Sequence, residues 1–348
     1  MWVDRRCDAW RRCWVDIVGE ASGGVGPARF TYIAGDGPGG VWPGCSTGLR
    51  PDGVTRGAGV LSAASNGATV TQTLAIASQK GGTGKTALAA SVAPLLALAG
   101  QRTLVIDLDQ QADLTATFGH GPETLDYSIV DVLAPLNPIQ VDRAIVRDVH
   151  GVAGLDLLAS DLRAAALEKQ LAGELMREQK LRHALAPLEG RYDRIVIDCP
   201  PSLGDLTING LCAADEVLVP VGMKDKKAVQ GMINLMATIT KLRNQSQRVA
   251  LKAVVCVEVN EVLQTYRSLR GALEGLRLPV AQVGLRARED WNNANTEDMP
   301  VVLWKPSSDA GRDVCALVAE LWPELDFPYP SEIRGHLAAH ATGQLRAA

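Results

Sequence analysis

The sequence predicts an α/β fold, built as a doubly wound, mainly parallel sheet with flanking helices. From residue 72 onward, apolar strand-like runs alternate with helical stretches, the pattern typical of such sheets. A glycine-rich loop separates the first strand from the first helix, and aspartates follow two later apolar strands. Because these loops and strand ends meet at one edge of a parallel sheet, the pattern predicts a ligand site there.

The predicted elements follow one another from residue 73 to residue 321. Strands are predicted at residues 73–78, 103–106, 194–197, 216–221, 250–257, 280–285 and 301–304. Helices are predicted at residues 87–99, 160–187, 227–243, 264–276 and 310–321. Pro94 lies inside the first helix, where its missing N–H should kink the helix or end its first half.

The glycine-rich loop reads Gln79-Lys80-Gly81-Gly82-Thr83-Gly84-Lys85-Thr86. Three glycines within four residues leave few Cβ atoms, so several backbone N–H groups can point at one anion. Lys85 places a positive charge beside the β- and γ-phosphates of a nucleotide, and Thr86 offers a hydroxyl to Mg²⁺. The loop therefore predicts a site for a nucleoside triphosphate with its metal.

The loop departs from the usual phosphate-binding pattern at its first position. That pattern, G-x-x-x-x-G-K-[ST], has glycine where this chain has Gln79, and a second lysine, Lys80, follows. A lysine at the loop entrance is poorly placed to reach phosphates held by its own loop. It could reach those of a neighbouring subunit.

Aspartates end two of the predicted strands. Asp107 and Asp109 follow the second strand, where alternation places them on the same side, and Asp198 follows the third strand. An acid that ends an apolar strand is typical of the position that orders Mg²⁺ through its water shell. We expect Asp107, Asp198 and Thr86 to hold the metal.

These segments, in this order, resemble the deviant Walker A family, the ParA/MinD group of ATPases, whose loops read K-G-G-x-G-K-[ST]. The resemblance covers about residues 72–323 and implies ATP and Mg²⁺ as cofactors. It also implies a face-to-face homodimer with two ATP molecules between the subunits. In that dimer Lys80 acts in trans, as a catalytic residue beside Lys85.

The same resemblance implies roles for residues outside the loop. Asp109 would orient or activate the attacking water. Asn260 follows a strand where relatives contact the adenine base, and Leu285 with Arg286 would form the other wall of the base site.

Two switch segments distinguish members of the family. Residues 198–215 read DCPPSLGDLTINGLCAAD and resemble the ParA-type switch II with its following helix. The ParA switch I usually reads D-x-D-P-Q-G-N, whereas this chain has Gln110 for the proline, Ala112 for the glycine and Asp113 for the asparagine. Losing a proline frees one φ angle and losing a glycine restricts another, so we expect an altered loop and hydrolysis rate.

Composition agrees with a soluble enzyme. Of the 348 residues, 47% are hydrophobic, which is ample for a core, and no run of 18 apolar residues occurs. The seven cysteines form no CxxC pair, which argues against an iron-protein electron donor, and we interpret them as reduced thiols. We expect a cytoplasmic, nucleoid-associated protein.

The two ends of the chain lie outside the predicted ATPase domain, residues 72–323. Residues 1–71 hold four tryptophans and many glycines without sustained periodicity. We interpret them as a disordered extension or, preferably, as upstream sequence translated from a misassigned start. Residues 324–348 are predicted to be a flexible tail without the amphipathic pattern that anchors MinD-type proteins to membranes.

Positive charge is concentrated in residues 224–288 of a chain whose net charge is −4. Against four acidic residues, this basic block contains Lys224, Lys226, Lys227, Lys241, Arg243, Arg248, Lys252, Arg267, Arg270, Arg277, Arg286 and Arg288. Singly, such residues are typical of a solvated surface, but as a block they could neutralise DNA phosphates. The ParA resemblance implies nonspecific DNA binding in this half of the domain.

Together these observations predict a ParA-like partitioning ATPase. ATP would close a dimer, the dimer would coat DNA, and a ParB-type partner would trigger hydrolysis and release; no membrane is expected. Two alternatives stay open. A MinD-like membrane-cycling ATPase is disfavoured by the tail and by the DCPPSLG segment, and an ATP-dependent biosynthetic amide ligase of the same superfamily would need a substrate pocket.

Overall fold

The computed structural model describes residues 70–224, 227–245 and 247–335. Within these ranges the strands form one eight-stranded sheet in the order β3-β4-β2-β5-β1-β6-β7-β8. Neighbouring strands are parallel except for the antiparallel pair β3 and β4. The strands are β1 Gln72–Ile76, β2 Thr103–Asp107, β3 Ile145–Val146, β4 Leu155–Leu158, β5 Arg194–Asp198, β6 Glu216–Gly222, β7 Ala250–Val259 and β8 Leu285–Arg286. The predicted fold class is confirmed.

Helices connect the strands and flank the sheet. They are α1 Lys85–Leu98, α2 Asp113–Thr117, α3 Ile129–Leu133, α4 Ala164–Leu171, α5 Lys180–Leu185, α6 Asp205–Ala213, α7 Lys227–Asn244, α8 Gln264–Gly275, α9 Glu289–Thr296, α10 Val301–Trp304 and α11 Asp309–Leu321. Short 3-10 turns lie at Pro122–Thr124, Val141–Ala144, Val149–Gly151, Arg177–Gln179 and Ala186–Leu188.

Helix α1 carries the glycine loop at its N-terminus and is buried on nearly every side. It packs against β2 and β5 of the sheet and against α10 and α11. It continues through Pro94 to Leu98, so the helix does not end at the proline. A helix that is apolar all round is a core helix, and its position fixes where the loop begins.

Three predicted elements differ from the structure. The stretch 301–304 is the helix α10 instead of a strand, because a short apolar run without alternation suits either state. The long helix predicted at 160–187 is interrupted by the left-handed backbone of Met176, whose φ is 51°. The strand predicted at 280–285 is reduced to a bridge at Val280 and the two residues of β8, and the sheet also contains β3 and β4, which were not predicted.

The C-terminal segment has contacts with the core as far as the structure describes it. Ile333 is fully buried, and Leu325 and Phe327 pack against the same core cluster. Residues 336–348 of the predicted tail, and residues 1–69 of the predicted N-terminal segment, lie outside the described residues. Within the described ranges, no helix has both the length and the apolar character that a bilayer crossing requires.

Candidate functional site

A cavity of about 450 Å³ lies beside the glycine loop. The loop and the start of α1 form one part of its wall, and the ends of β7 and β8 with helix α9 form the rest. The residues lining it are Gly82, Thr83, Gly84, Ala87, Lys224, Val257, Glu258, Leu285, Arg286, Ala287, Arg288, Trp291, Asn292 and Asn295. The site therefore lies at the carboxyl edge of the sheet, as the sequence predicts.

The backbone of the glycine loop requires its glycines. Gly82 and Gly84 both have φ of 71°, in the left-handed region that residues with a side chain avoid. A Cβ atom added at either position would meet nothing within 4 Å, so the requirement is conformational and the loop face is open. An open face of backbone groups at a helix N-terminus suits a phosphate.

The two lysines of the loop differ in their surroundings. Lys85 is buried, and its ammonium lies 3.4 Å from the carbonyl oxygen of Lys80, which also accepts a hydrogen bond of 3.2 Å from the Thr83 hydroxyl. Burial lowers the pKa of Lys85, while the carboxylates of Asp198 and Asp109 oppose that shift. The side chain of Lys80 is exposed.

Gln79, which replaces the usual first glycine, attaches the loop to helix α7. Its side-chain oxygen accepts a hydrogen bond of 3.0 Å from the Asn234 amide. A glycine at this position could not form this hydrogen bond, so Gln79 adds a contact between the loop entrance and helix α7.

Asp107 and Asp198 lie side by side, at paired positions of the parallel strands β2 and β5. Both are fully buried. The oxygens of Asp107 accept hydrogen bonds from the Asp109 N–H at 2.9 Å, the Thr115 N–H at 3.0 Å and the Thr115 hydroxyl at 2.8 Å. Burial nevertheless raises the pKa of Asp107 to about 7.

Asp198 is equally buried but differs from Asp107 in its hydrogen bonding. Among the described residues, neither of its carboxylate oxygens has a hydrogen bond of ordinary length and angle. Burial raises its pKa well above the usual value and the charge of Asp107 adds to this, whereas the Thr86 hydroxyl and the Lys85 ammonium favour the ionised form. A buried carboxylate without a partner is costly, and a cation at this point would remove the cost.

The residues at the loop therefore fit a magnesium–nucleotide complex. Oxygen atoms are the ligands that Mg²⁺ prefers, and Asp198 and Thr86 supply them close to Lys85. Asp107 has less acceptor capacity left for a metal than Asp198, because its Oδ1 accepts one hydrogen bond and its Oδ2 accepts two.

Asp109 lies in the loop between β2 and α2. Its Oδ1 accepts a hydrogen bond of 3.0 Å from the Gln111 N–H. Ala112 has φ of 54° and ψ of 29°, the left-handed conformation that the usual glycine would adopt without strain. The altered loop therefore keeps the glycine-type backbone, at a cost that is typically about 1–2 kcal/mol for a residue with a Cβ atom.

On the base side, the structure brings together only some of the predicted residues. Leu285 and Arg286 line the cavity, but Asn260 does not, and its side-chain oxygen instead accepts a hydrogen bond of 3.3 Å from the Val262 N–H of its own turn. Sequence reasoning missed Glu258 and Trp291, which do line it. An acid inside the otherwise apolar run Val254–Val259 is the signal that could have found Glu258.

Several members of the basic block form ion pairs with acids, so the surface there is less positive than the number of lysines and arginines suggests. Arg270 has a side chain only 16% exposed and pairs with Glu274. The other ion pairs are Lys224–Glu258, Lys252–Glu216, Arg286–Asp313 and Arg288–Asp309. Lys241, Arg243, Arg248 and Arg277 are exposed, and no acid pairs with them within the described ranges. Lys226 lies outside those ranges.

Sequence comparisons connect this site with known proteins. A family model described as an AAA domain matches residues 71–252. The cell division protein PomZ of Myxococcus xanthus is 34% identical over 250 residues, which are 71% of this chain and 76% of PomZ. The sporulation initiation inhibitor protein Soj of Bacillus subtilis is 37% identical over 169 residues, 48% of this chain and 64% of Soj, so that match spans less than two thirds of the relative.

The fold is also similar to solved structures. The cobyrinic acid a,c-diamide synthase from Mycobacterium smegmatis, solved with an ATP analog and magnesium, is 32% identical with a TM-score of 0.59. The match covers 68% of this chain and 96% of that chain. The predictions of the family and of its cofactors, ATP and Mg²⁺, are confirmed. The K-G-G-T-G-K-T loop on a parallel sheet, the paired strand-end aspartates and these relatives show that the chain belongs to the ParA/MinD family of P-loop ATPases.

Proposed function

We propose that this chain is a slow, partner-stimulated ATPase that dimerises when it binds ATP and partitions a plasmid or chromosome. Relatives named as a cell division protein, a sporulation initiation inhibitor protein and a chromosome partitioning protein support an ATPase of the positioning or partitioning kind. The observation that carries the proposal is the pair of lysines in one loop. Lys85 is buried against the loop, while Lys80 is exposed at its entrance.

In this proposal the chain binds ATP and Mg²⁺ through the loop. The N–H groups of Gly82 to Lys85 and the Lys85 ammonium hold the phosphates, and Asp198 with Thr86 hold the metal. When bound, the metal neutralises phosphate charge during transfer to water. For Asp107, which the sequence predicts as a metal residue, we propose a second role, to hold the backbone of Asp109 by a hydrogen bond.

Asp109 is the residue we propose to orient the attacking water. Its carboxylate is fixed by the Gln111 N–H and its backbone by Asp107. Such positioning is a large part of what an enzyme does in phosphoryl transfer. Replacing Asp109 by alanine should leave ATP binding intact and trap the ATP-bound dimer.

Substitution of Lys80 tests the proposed dimer. Lys80→Ala should bind ATP as the wild type does but fail to form an ATP-dependent dimer, measured by light scattering with ATP and with ADP. Lys169→Ala is the matched control, because Lys169 is another exposed lysine, on helix α4. Unchanged ATP-dependent dimerisation of Lys80→Ala would rule out a trans role for this lysine.

We propose nonspecific DNA as the surface on which the dimer acts. The exposed residues Lys241, Arg243 and Arg248 near the end of helix α7 are better suited to bind phosphates than Arg270, which also donates to the Tyr266 hydroxyl. Two weak surfaces on one dimer bind with higher avidity than one. The ADP-bound monomer, which has only one such surface, should therefore dissociate from DNA.

Charge reversal tests the DNA surface. Lys241→Glu with Arg243→Glu should weaken binding to unrelated duplexes alike and lower the log–log salt slope by about 0.9 for each lost phosphate contact. ATP binding should be retained, since the surface is separate from the loop. Equal DNA affinity with ADP and ATP, or an unchanged slope in the double variant, would exclude this surface.

A ParB-type protein is the partner that we propose to stimulate hydrolysis, in a cytoplasmic, nucleoid-associated cycle. An amide ligase is the second candidate, because the Mycobacterium smegmatis structure is named a diamide synthase. ATP turnover separates the two. Stimulation by DNA with the partner supports partitioning, stimulation by a carboxylic acid with ammonia supports a ligase, and ATP-dependent binding to liposomes would favour a MinD-like cycle.

A further inference from the structure

Glu258 is an acid placed in an apolar strand at the edge of the nucleotide cavity. Its neighbours Val257 and Val259 are buried, whereas the Glu258 side chain lines the cavity and is 38% exposed. Its φ is 57°, in the left-handed region, and the pairing of β7 with β8 shifts between Val257 and Val259. Glu258 therefore lies at an irregular point of the strand, where the backbone leaves the extended conformation.

The carboxylate of Glu258 is held in place by the strand β6 and the turn after it. Its Oε1 lies 2.7 Å from the ammonium of Lys224, which also lines the cavity. Its Oε2 lies 3.6 Å from the position that a Cβ atom would occupy at Gly222. Both carboxylate oxygens can act as acceptors, and the contact with Lys224 occupies only Oε1, which leaves Oε2 for a ligand.

The position of Glu258 separates it from the phosphate end of the cavity. The sheet order places β6 between β1, which leads into the glycine loop, and β7, which bears Glu258. Two strand spacings of about 4.8 Å give roughly 10 Å between the two ends. Trp291 lines the same region, and its indole N–H donates to the Arg286 carbonyl at 3.2 Å, which fixes the ring.

We propose that Glu258 selects the base of the nucleotide by accepting a hydrogen bond from the 6-amino group of adenine. This inference rests on the proposed ATP binding. A carboxylate can only accept, adenine presents a donor at position 6, and a base with a carbonyl there would place two acceptors against each other. Glu258, instead of Asn260, is then the residue that reads the base.

The experiment compares the binding of ATP and of inosine triphosphate, which has a carbonyl in place of the 6-amino group. Calorimetric titration with Mg²⁺ present measures each affinity without relying on turnover. The wild type should prefer ATP by about tenfold or more, since hydrogen bonds to charged groups are among the stronger ones. Glu258→Ala should remove this preference by weakening ATP binding.

Two further variants sharpen the test. Glu258→Gln should bind both nucleotides with similar affinity, because an amide can turn its N–H groups toward a carbonyl. Glu261→Gln is the matched control, an exposed acid three residues along that does not line the cavity, and should keep the wild-type preference.

Different results would overturn different statements. If Glu258→Ala keeps the wild-type preference for ATP, or if the wild type binds the two nucleotides equally, the role of Glu258 is overturned while the proposed ATPase stands. If the wild type binds neither nucleotide, the proposed function fails and this inference fails with it. An effect of Glu261→Gln as large as that of Glu258→Ala would show that the preference for ATP arises from the overall negative charge near the cavity and not from a hydrogen bond to Glu258.

Discussion

The two sides of the glycine loop handle charge in opposite ways. On the acid side, where β2 and β5 end, Asp107 and Asp198 are fully buried. On the base side, where β7 and β8 end, Glu258 and Arg286 are each 38% exposed and paired with an opposite charge. Burying a charge is costly unless a partner compensates it, and surface pairs contribute little either way. We therefore propose that a bound cation would offset the cost of burial on the acid side, whereas the ion pairs of the base side contribute little to stability.

The acid side contains a second comparison. Asp107 and Asp198 occupy paired positions on neighbouring strands, yet the first accepts three hydrogen bonds and the second has none of ordinary geometry within the described ranges. Asp107 is satisfied by its own chain. Asp198 keeps its acceptor capacity for a ligand, so we expect the two aspartates to respond differently to the same substitution.

The largest expected effect is at the loop itself. Lys85→Ala should lower ATP affinity by more than about 100-fold, because backbone N–H groups alone cannot neutralise a triphosphate. Titration with ATP and Mg²⁺ measures this, with Lys80→Ala as the control that keeps binding. Wild-type ATP affinity and turnover in Lys85→Ala would refute the assignment of the loop.

The second-largest expected effect is on stability, at the paired aspartates Asp107 and Asp198. Asp107→Asn should destabilise the ligand-free protein by about 1–3 kcal/mol, since an amide N–H would face donors of Asp109 or Thr115. Asp198→Asn should change the free energy of unfolding of the ligand-free protein less than Asp107→Asn does, because Asp198 has no hydrogen bond of ordinary geometry to lose. Urea unfolding measures both, and equal losses of stability in the two variants would contradict the comparison.

The pH dependence of stability follows from the same residues. Because the pKa of Asp107 is raised to about 7, the folded chain keeps a proton that the unfolded chain has lost near pH 4. This contribution is present below about pH 4 and is lost as the pH rises through 7. Unfolding of the ligand-free protein across this range should show declining stability, flattened in Asp107→Asn. Carboxyls with a lowered pKa, such as Asp193, titrate below this window.

The smallest expected effect is at Ala112. Ala112→Gly should stabilise the protein by up to about 1 kcal/mol, because glycine adopts the left-handed backbone without strain. Ala116→Gly, inside the helix α2 that follows Ala112, is the matched control, and should destabilise by about 0.5–1 kcal/mol. Equal effects of the two substitutions on the urea midpoint would show that the Ala112 backbone is not strained.

The parts of the site that are contiguous in the sequence could be predicted. The glycine loop and Asp198 each combine a strand with the residue that ends it, so local pattern and chemistry agree. Glu258 and Trp291 belong to no such motif, because Glu258 is marked only as an acid within an apolar strand and Trp291 lies on a separate helix. Asn260 has a suitable side chain next to the correct strand, but a local turn uses it.

The errors in the fold have a similar cause. Strands β3 and β4 contain two and four residues, too few for a recognisable alternation. Helix α10 has four residues, and its apolar run fits a strand equally well. In both places tertiary packing decides what the local sequence leaves open.

The enclosure of helix α1 has a consequence for evolution. Ala89 and Ala93 are completely buried in the helix that carries the glycine loop. A larger side chain at either position would move the helix and its loop together, because a packed core transmits displacement instead of absorbing it. In a mutational scan scored by nucleotide binding, these alanines should therefore tolerate as little change as residues that touch the phosphates. Selection on this family would then conserve small residues well beyond the loop.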